Sequence, residues 1–331
     1  MGLKRLNASK VRAFDLFCGA GGSSCGAAQA GVEIAGGIDM WHRAVEAFGM
    51  NYPQAKVYRS RTDELSADSV KADVGPIDLL MASPECTNHS VAKGAAPRDE
   101  GSRRTAMEVI RFAEAWNPRW VVVENVVSMM KWHAYAEWKN GLQSLGYKIQ
   151  ELKLNSENFG VPQSRRRLIV VADREEEPNC PMPLSDSGPA VRKVLNLRVR
   201  TEKDGYSYRY RPLFGSGRAE ATKARAGRAI EAVGDAKPFL LVYYGSDAAG
   251  GWQSIERPLR TITTLDRFAL VKPNSDGDYE MRMLQPPELA AAMGFPPTYK
   301  WPKITRREHI KLIGNAVAPP VMRAVVKSLV S

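Results

Sequence analysis

The feature that most constrains this chain is a repeated strand–loop–helix cadence over its first 175 residues. Val11–Phe17 (VRAFDLF) is a short apolar run that ends at a glycine loop, CGAGGSS, and the small-residue helix after it stops at Gly31. EIAGGIDM reads as a second strand, and Trp41–Met50 as an amphipathic helix. Ile77–Ser83 (IDLLMAS) and Arg119–Val126 (RWVVVENV) are aliphatic runs of buried-strand length. Between them, Arg103–Trp116 has helical spacing, with Met107, Ile110, Phe112 and Ala113 near one face. This order predicts an α/β fold with a doubly wound, largely parallel sheet, whose ligands sit at the carboxyl ends of the strands.

Pro and Gly density rises after Asp173 (EEEPNCPMPLSDSGP), which reads as a linker into a second, smaller unit. Helical patterns return in PPELAAAMG and from Thr305 to Leu329. The expected division is 1–175, 176–283 and a C-terminal segment, 284–331, that packs back on the first domain. Charge is concentrated in the second unit. The 331 residues carry a net +11, and between Arg192 and Arg228 eleven Lys and Arg face three acids. Tyr206, Tyr208, Tyr210 and Phe214 alternate there with polar or basic residues, a pattern that suits a surface laid on a phosphate backbone or a solvated arginine-rich hairpin.

No apolar run approaches the length of a bilayer span, and the start, MGLKRLNASK, lacks an apolar signal core. Four cysteines (Cys18, Cys25, Cys86, Cys180), with no CxxC pair and no zinc spacing, exclude a disulfide framework. A cytoplasmic, reducing compartment, no membrane partner and no metal are expected.

Four strand ends carry candidate chemistry. The glycine loop lets backbone approach a ligand closely, or is only a tight turn; Asp39, about 20 residues on, stands where an acid grips ribose hydroxyls. Cys86, just past IDLLMAS, is a candidate nucleophile or a buried thiol. Glu124 closes the next strand as a catalytic carboxyl or a strand-end cap. In Gln163–Leu168 (QSRRRL), alternation sends Arg165 and Arg167 to one face and Arg166 to the other.

In order, DLFCGAGG, a strand-end acid, a strand-end cysteine, ENV, QSRRRL, a basic variable region, RPLRTITT and GNAVAPP resemble the motif series of the DNA (cytosine-5) methyltransferases over nearly the whole chain. The resemblance implies the S-adenosylmethionine-dependent methyltransferase fold with a target-recognition domain. It implies that Phe17, Gly19, Ala20, Gly22, Asp39, Met40, Asp63, Pro84 and Asn315 line S-adenosyl-L-methionine, with Asp39 on the ribose and Asp63 at the adenine amino group. Cys86 would be the nucleophile, Glu124 the partner of the ring nitrogen and exocyclic amine, and Arg167 with Arg165 the support for the base carbonyl. Gln163 and Arg260–Thr264 would be structural links to the recognition domain. Duplex DNA would be held by Ser90 and by Arg192, Arg198, Arg200, Tyr206, Tyr208, Arg209 and Arg211. Thr87–Ser102 would form a lid that closes over it.

The family usually has Pro before and Gln after the cysteine; here Glu85 and Thr87 stand there, and Met40 replaces an aromatic, with Trp41 next to it. These departures mark a divergent branch. The leading expectation is a monomeric enzyme of bacterial, archaeal or phage origin, with a cognate restriction endonuclease as partner, that methylates carbon 5 of cytosine in a short duplex sequence. The alternatives are a DNA-binding homologue with little catalysis and a methyltransferase acting on RNA.

Overall fold

The computed structural model describes residues 11–84, 100–234, 236–244 and 250–331, with 100–104 described by backbone alone. Seven strands form the large sheet: β1 (Arg12–Leu16), β2 (Glu33–Ile38), β3 (Lys56–Tyr58), β4 (Leu79–Ala82), β5 (Trp120–Asn125), β6 (Lys148–Asn155) and β7 (Arg166–Asp173). Their spatial order is 3-2-1-4-5-7-6, and β7 alone runs antiparallel to its neighbours. The direction of winding reverses between β1 and β4, so the crevice for a ligand opens at their carboxyl ends.

Alternation along the strands divides the core in two. Leu80, Ala82, Val121 and Val123 point to the face covered by α3 (Ala67–Val74), α4 (Glu100–Trp116) and α5 (Tyr135–Ser144), where Phe112, Trp116 and Trp138 are buried. Leu79, Met81, Trp120 and Val122 point to the other face. That face is covered by α1 (Gly22–Gln29), with α2 (His42–Asn51) beside it, and by a helix from the far end of the chain, described below. The expected helix over Arg103–Trp116 is present and starts slightly earlier, at Glu100.

The second sheet is antiparallel. A short hairpin, β8 (Glu202–Lys203) with β9 (Tyr206–Ser207), precedes β10 (Arg211–Pro212), α6 (Glu220–Val233), β11 (Phe239–Val242), β12 (Trp252–Ser254), β13 (Phe268–Pro273) and β14 (Tyr279–Met283). The order of the five longer-range strands is 10-14-13-11-12. One face packs against Ala226 and Ala229 of α6. The other, through Leu240, Val242, Phe268 and Leu270, joins a core shared with α7 (Pro286–Met293) and α8 (Arg306–Asn315). The last helix, α9 (Pro319–Val330), returns to the large sheet against α1. The contact is so close that a Cβ on Gly26 would lie 2.4 Å from the Pro319 carbonyl oxygen. Among the described residues no helix is long and apolar enough to cross a membrane.

Two polar links hold this part of the chain, sheet and hairpin, to the C-terminal helices. Arg282 of β14 donates to both oxygens of Glu288 in α7, at 2.7 and 2.8 Å, and that carboxylate also accepts from the backbone of Asn196 and Gln285. A buried pair of this kind is stable only because every oxygen is bonded. The second link is a 2.7 Å hydrogen bond between the Tyr206 hydroxyl and Nδ1 of His309, a residue 2% exposed whose ring lies 4.5 Å from that of Trp301.

Burial pushes the His309 imidazole down to about 4. In the unfolded chain it takes up a proton already near pH 6.5, so the unfolded state binds more protons between those values, and stability falls as pH drops from about 6.5 to 4. The loss attributable to His309 should reach about 3 kcal/mol at pH 4. Denaturant titrations from pH 7 to 4 should show this slope, and His309→Gln should lack that share of it.

Candidate active site

The register of the parallel strands builds a row of functional positions. Leu16 of β1 pairs with Ile38 and with Ala82, and Ala82 pairs with Val123. The next residue on each strand therefore lies in one line at the carboxyl edge, in the order Asp39, Phe17, Ser83, Glu124. Four strands at about 4.8 Å spacing separate Asp39 from Glu124 by roughly 14 Å.

At the Asp39 end the chain turns sharply. Phe17 and Gly19 take φ of 57° and 54° and Gly21 takes 82°, a left-handed path that Phe17 adopts at the cost of about 1–2 kcal/mol. A Cβ on Gly19 would meet nothing within 4 Å, so the loop presents bare backbone to open space, as a cofactor cradle requires. Asp39 accepts from the backbone N–H of Gly19 at 2.9 Å and of Trp41 at 2.8 Å, and so pins the loop to β2. Gly22, expected to touch the cofactor, is also a packing glycine: a Cβ there would collide with the Val317 carbonyl oxygen. Ala20 is buried against Leu312, and its carbonyl accepts from the Tyr299 hydroxyl. Because Leu312 packs on Ala20 and Val317 on Gly22, the exposed Asn315 between them is held beside the loop. Met40, next to Asp39 in sequence, is 57% exposed, with Trp41 lying under Lys311 at 4.6 Å. Asp63 sits on a turn after β3, half-exposed and paired with Arg61 at 2.9 Å, which holds its carboxyl below the usual range.

The loop's own titratable groups are unsuited to attack. Burial, followed by the charges of Asp39 and Asp15, raises the Cys18 thiol well above its ordinary range; burial pushes Cys25 up to about 12. Neither supplies a thiolate. Asp15, fully buried with the Ser24 hydroxyl donating at 2.7 Å, is pushed up to about 7 by burial, with Asp39 adding to the shift.

At the other end of the row, Glu124 is 7% exposed and pairs with Nε of Arg167 at 2.9 Å. Both belong to neighbouring antiparallel strands, in which Glu124 faces Ile169 and Arg167 lies just beyond. Asn125 donates to the carbonyl of Pro84 at 3.2 Å, tying the end of β4 to the end of β5. Arg165 lines the same small cavity as Glu124, Arg167 and Val317, but its guanidinium donates to the carbonyls of Ile262 at 2.9 Å and Gly314 at 3.0 Å. Expected at the base carbonyl, it is a clamp between the RTITT and GNAV segments. Gln163, wholly buried, does the same work: its carbonyl accepts from the Ile262 N–H at 2.9 Å. Cys86, Ser90, Glu85, Thr87 and the expected lid as far as residue 99 lie outside the described residues.

The basic stretch folds differently from a continuous strand. Only two-residue strands form, and Tyr208, expected on the DNA face, is 1% exposed beneath Arg282, whose guanidinium lies 4.9 Å from its ring. Ser207 and Arg209 are exposed while Tyr206, Tyr208 and Tyr210 turn inwards, so the alternation holds with the tyrosines on the protein side. Tyr206 is half-buried on His309. Arg192, Arg200 and Arg209 pair with Glu256 (3.4 Å), Glu280 (2.9 Å) and Glu202 (3.9 Å), and all three are exposed, as are Arg198 and Arg211.

Tyr299 and Asn125 were not singled out by the sequence. Asn125 was adjacent to a marked residue, but Tyr299 reaches Ala20 across 279 residues and gives no local signal. Tyr299→Phe leaves a buried carbonyl without its donor, a loss of about 1–3 kcal/mol. It should lower the melting temperature in thermal denaturation; an unchanged midpoint would show that the phenol does not hold the loop.

The family model described as C-5 cytosine-specific DNA methylase matches residues 11–331. The Type II methyltransferase M.HgiDI of Herpetosiphon aurantiacus is 25% identical over 321 residues, which are 93% of this chain and 90% of that protein. The Type II methyltransferase M.HindV of Haemophilus influenzae is 30% identical over 202 residues, 58% of this chain and 64% of that protein. A solved structure of Spodoptera frugiperda DNMT2 superposes with a TM-score of 0.70 at 16% identity, covering 97% of this chain and 100% of that one, a likeness of fold. The family match takes in the glycine loop, the Glu124–Arg167 pair, the second sheet and the returning helices together: the chain belongs to the C-5 cytosine-specific DNA methylases.

Proposed function

We propose that this DNA (cytosine-5) methyltransferase uses S-adenosylmethionine and acts on a cytosine flipped out of a short duplex sequence, by covalent addition of Cys86. The observation that carries the reading is the placement of Glu124 and Arg167, ion-paired at 2.9 Å at one end of a strand-edge row whose other end is Asp39 and the open backbone of Gly19.

The residues present fit the cofactor. Gly19 and Phe17 would lie along it, Asp39 would take the ribose hydroxyls, Met40 and Asp63 would bound the adenine, and Asn315 would close the pocket from the C-terminal segment. When bound, the cofactor supplies the methyl group as a sulfonium electrophile. Pro84, held by Asn125, would set the direction in which the chain leaves β4 towards Cys86.

The chain's own chemistry follows from the weak nucleophilicity of cytosine carbon 5. The Cys86 thiolate adds to carbon 6, and the electron pair of the 5,6 double bond becomes available at carbon 5. A proton shared between Glu124 and the ring nitrogen removes the charge penalty of that addition, and Arg167 both orients Glu124 and polarises the base carbonyl. Once carbon 5 has been methylated, loss of its proton to a base restores the double bond and expels Cys86. A stacked base offers none of these atoms, so flipping must come first. Arg165 acts in this scheme as a positioning residue through Ile262 and Gly314. A monomeric, cytoplasmic enzyme with a cognate endonuclease completes the reading, the last motivated by the Type II names of the relatives.

The direct test is mass spectrometry of nucleosides from mixed-sequence duplex DNA incubated with the protein and S-adenosylmethionine, with folded RNA as a parallel substrate. New 5-methylcytosine in the DNA is the expected product, whereas methylation of the RNA alone would overturn the duplex reading. Cys86→Ser and Glu124→Gln should each lower turnover by at least about 10²-fold, the range of a lost acid–base or nucleophilic group, and leave cofactor affinity intact. Near wild-type turnover in Cys86→Ser would refute the covalent route.

A further inference from the structure

The second sheet reaches the active site through the turn at Thr263–Leu265. A Cβ on Gly314 would lie 2.3 Å from the Thr263 carbonyl oxygen, so this turn rests directly on the backbone that precedes Asn315. Just past that contact, an open cavity of about 400 Å³ lies between the turn and the first residues of α8. Its walls include Thr264, Leu265, Asp266, Arg267, Arg306 and Arg307.

The charges in this cavity are not equivalent. Arg306 is fixed by the protein: it pairs with Asp266 and donates to the Leu284 carbonyl at 2.6 Å and to Gln285 Oε1 at 3.3 Å. It cancels the single acid of the lining. Arg267 donates one N–H to the Tyr243 carbonyl at 3.0 Å, and neither Arg267 nor Arg307 has an ion pair among the described residues. The cavity therefore presents two uncompensated guanidinium groups, one half-buried and anchored, the other exposed. Arg307 also begins an exposed stripe on α8, continued one turn apart by Lys311 over Trp41 and then by Asn315. Positive charge thus runs from the second sheet towards the cofactor loop. By contrast, three of the arginines expected to hold DNA, Arg192, Arg200 and Arg209, already face carboxylates.

We infer that this cavity binds a phosphodiester of the substrate backbone, with Arg267 and Arg307 as its donors, and that it anchors the duplex at the joint between the second sheet and the catalytic sheet. Guanidinium groups suit this ligand because their forked N–H donors match phosphate oxygens. Leu265, 47% exposed at the rim, offers the sugar an apolar contact. The inference rests on duplex DNA being the substrate. It adds a backbone contact, which positions DNA without reading its sequence.

The test measures duplex binding by wild type, Arg307→Gln and Arg267→Gln across a salt series. Each variant should weaken binding equally on unrelated sequences and reduce the slope of log affinity against log salt by about 0.9, the value for one lost phosphate contact. Arg307→Lys should restore most of the slope. S-adenosylmethionine affinity and melting temperature serve as folding controls, and Arg307, exposed and with no hydrogen bond or ion pair to lose among the described residues, keeps the test free of folding effects. A salt slope unchanged in Arg307→Gln, in a protein that binds duplex DNA, overturns the site alone. A wild-type protein without affinity for duplex DNA overturns the substrate reading, and this site with it.

Discussion

Two hydrogen bonds from one buried guanidinium hold the active site together. Arg165 donates to carbonyls 97 and 149 residues further along the chain, one just before the turn that leads into β13 and the other at the end of α8. Gln163 adds a bond to the same Ile262 backbone, and Gly314 lets Thr263 approach where any side chain would collide. Breaking such a link would leave buried carbonyls without their donors, which is far costlier than losing a surface contact. The position of Asn315 beside the glycine loop, and of Arg167 against Glu124, both depend on this joint.

The catalytic row then follows from sheet geometry. Parallel strands in flush register place Asp39, Phe17, Ser83 and Glu124 in a line, and the switch in winding between β1 and β4 keeps the space above that line free of crossing helices. The antiparallel β7 contributes what a parallel strand could not. Running away from that edge, it starts with Arg166 and Arg167 where β5 ends with Glu124 and Asn125. An ion pair at 2.9 Å results without any long side-chain reach. The row is stiff because its ends are tied by backbone bonds: Asp39 to Gly19 and Trp41, Asn125 to Pro84.

Electrostatics separates apparent from available charge. The segment from Arg192 to Arg228 dominates the net charge, yet much of its near-sheet arginine content is matched by Glu202, Glu256 and Glu280. Several of its aromatic rings stack under cations that belong to β13 and β14, as Tyr210 does under Lys272 and Arg282. Charge left over near the active site sits elsewhere, at the turn after RTITT and along α8.

The alternation of apolar runs with helical spacing determined the large sheet, because buried parallel strands need continuous aliphatic runs and their helices need a 3.6-residue period; both signals are local. The strand-end positions of Asp39 and Glu124 were legible for the same reason, and the order of the motifs determined the family. Where two residues share one pattern, local signals do not separate them. Arg165 and Arg167 have the same alternation, but only the arrival of Ile262 and Gly314 turns the first into a clamp and leaves the second on Glu124. Tyr206 and Tyr208 also alternate alike, yet Arg282 of β14 covers one and His309 of α8 receives the other. Gly22 and Gly19 are both loop glycines, and contact with Val317 alone distinguishes a packing position from a cradle. These roles belong to the tertiary structure because the partner in each case comes from a segment distant in the chain, and a hydrogen bond or a collision exists only once both segments are in place.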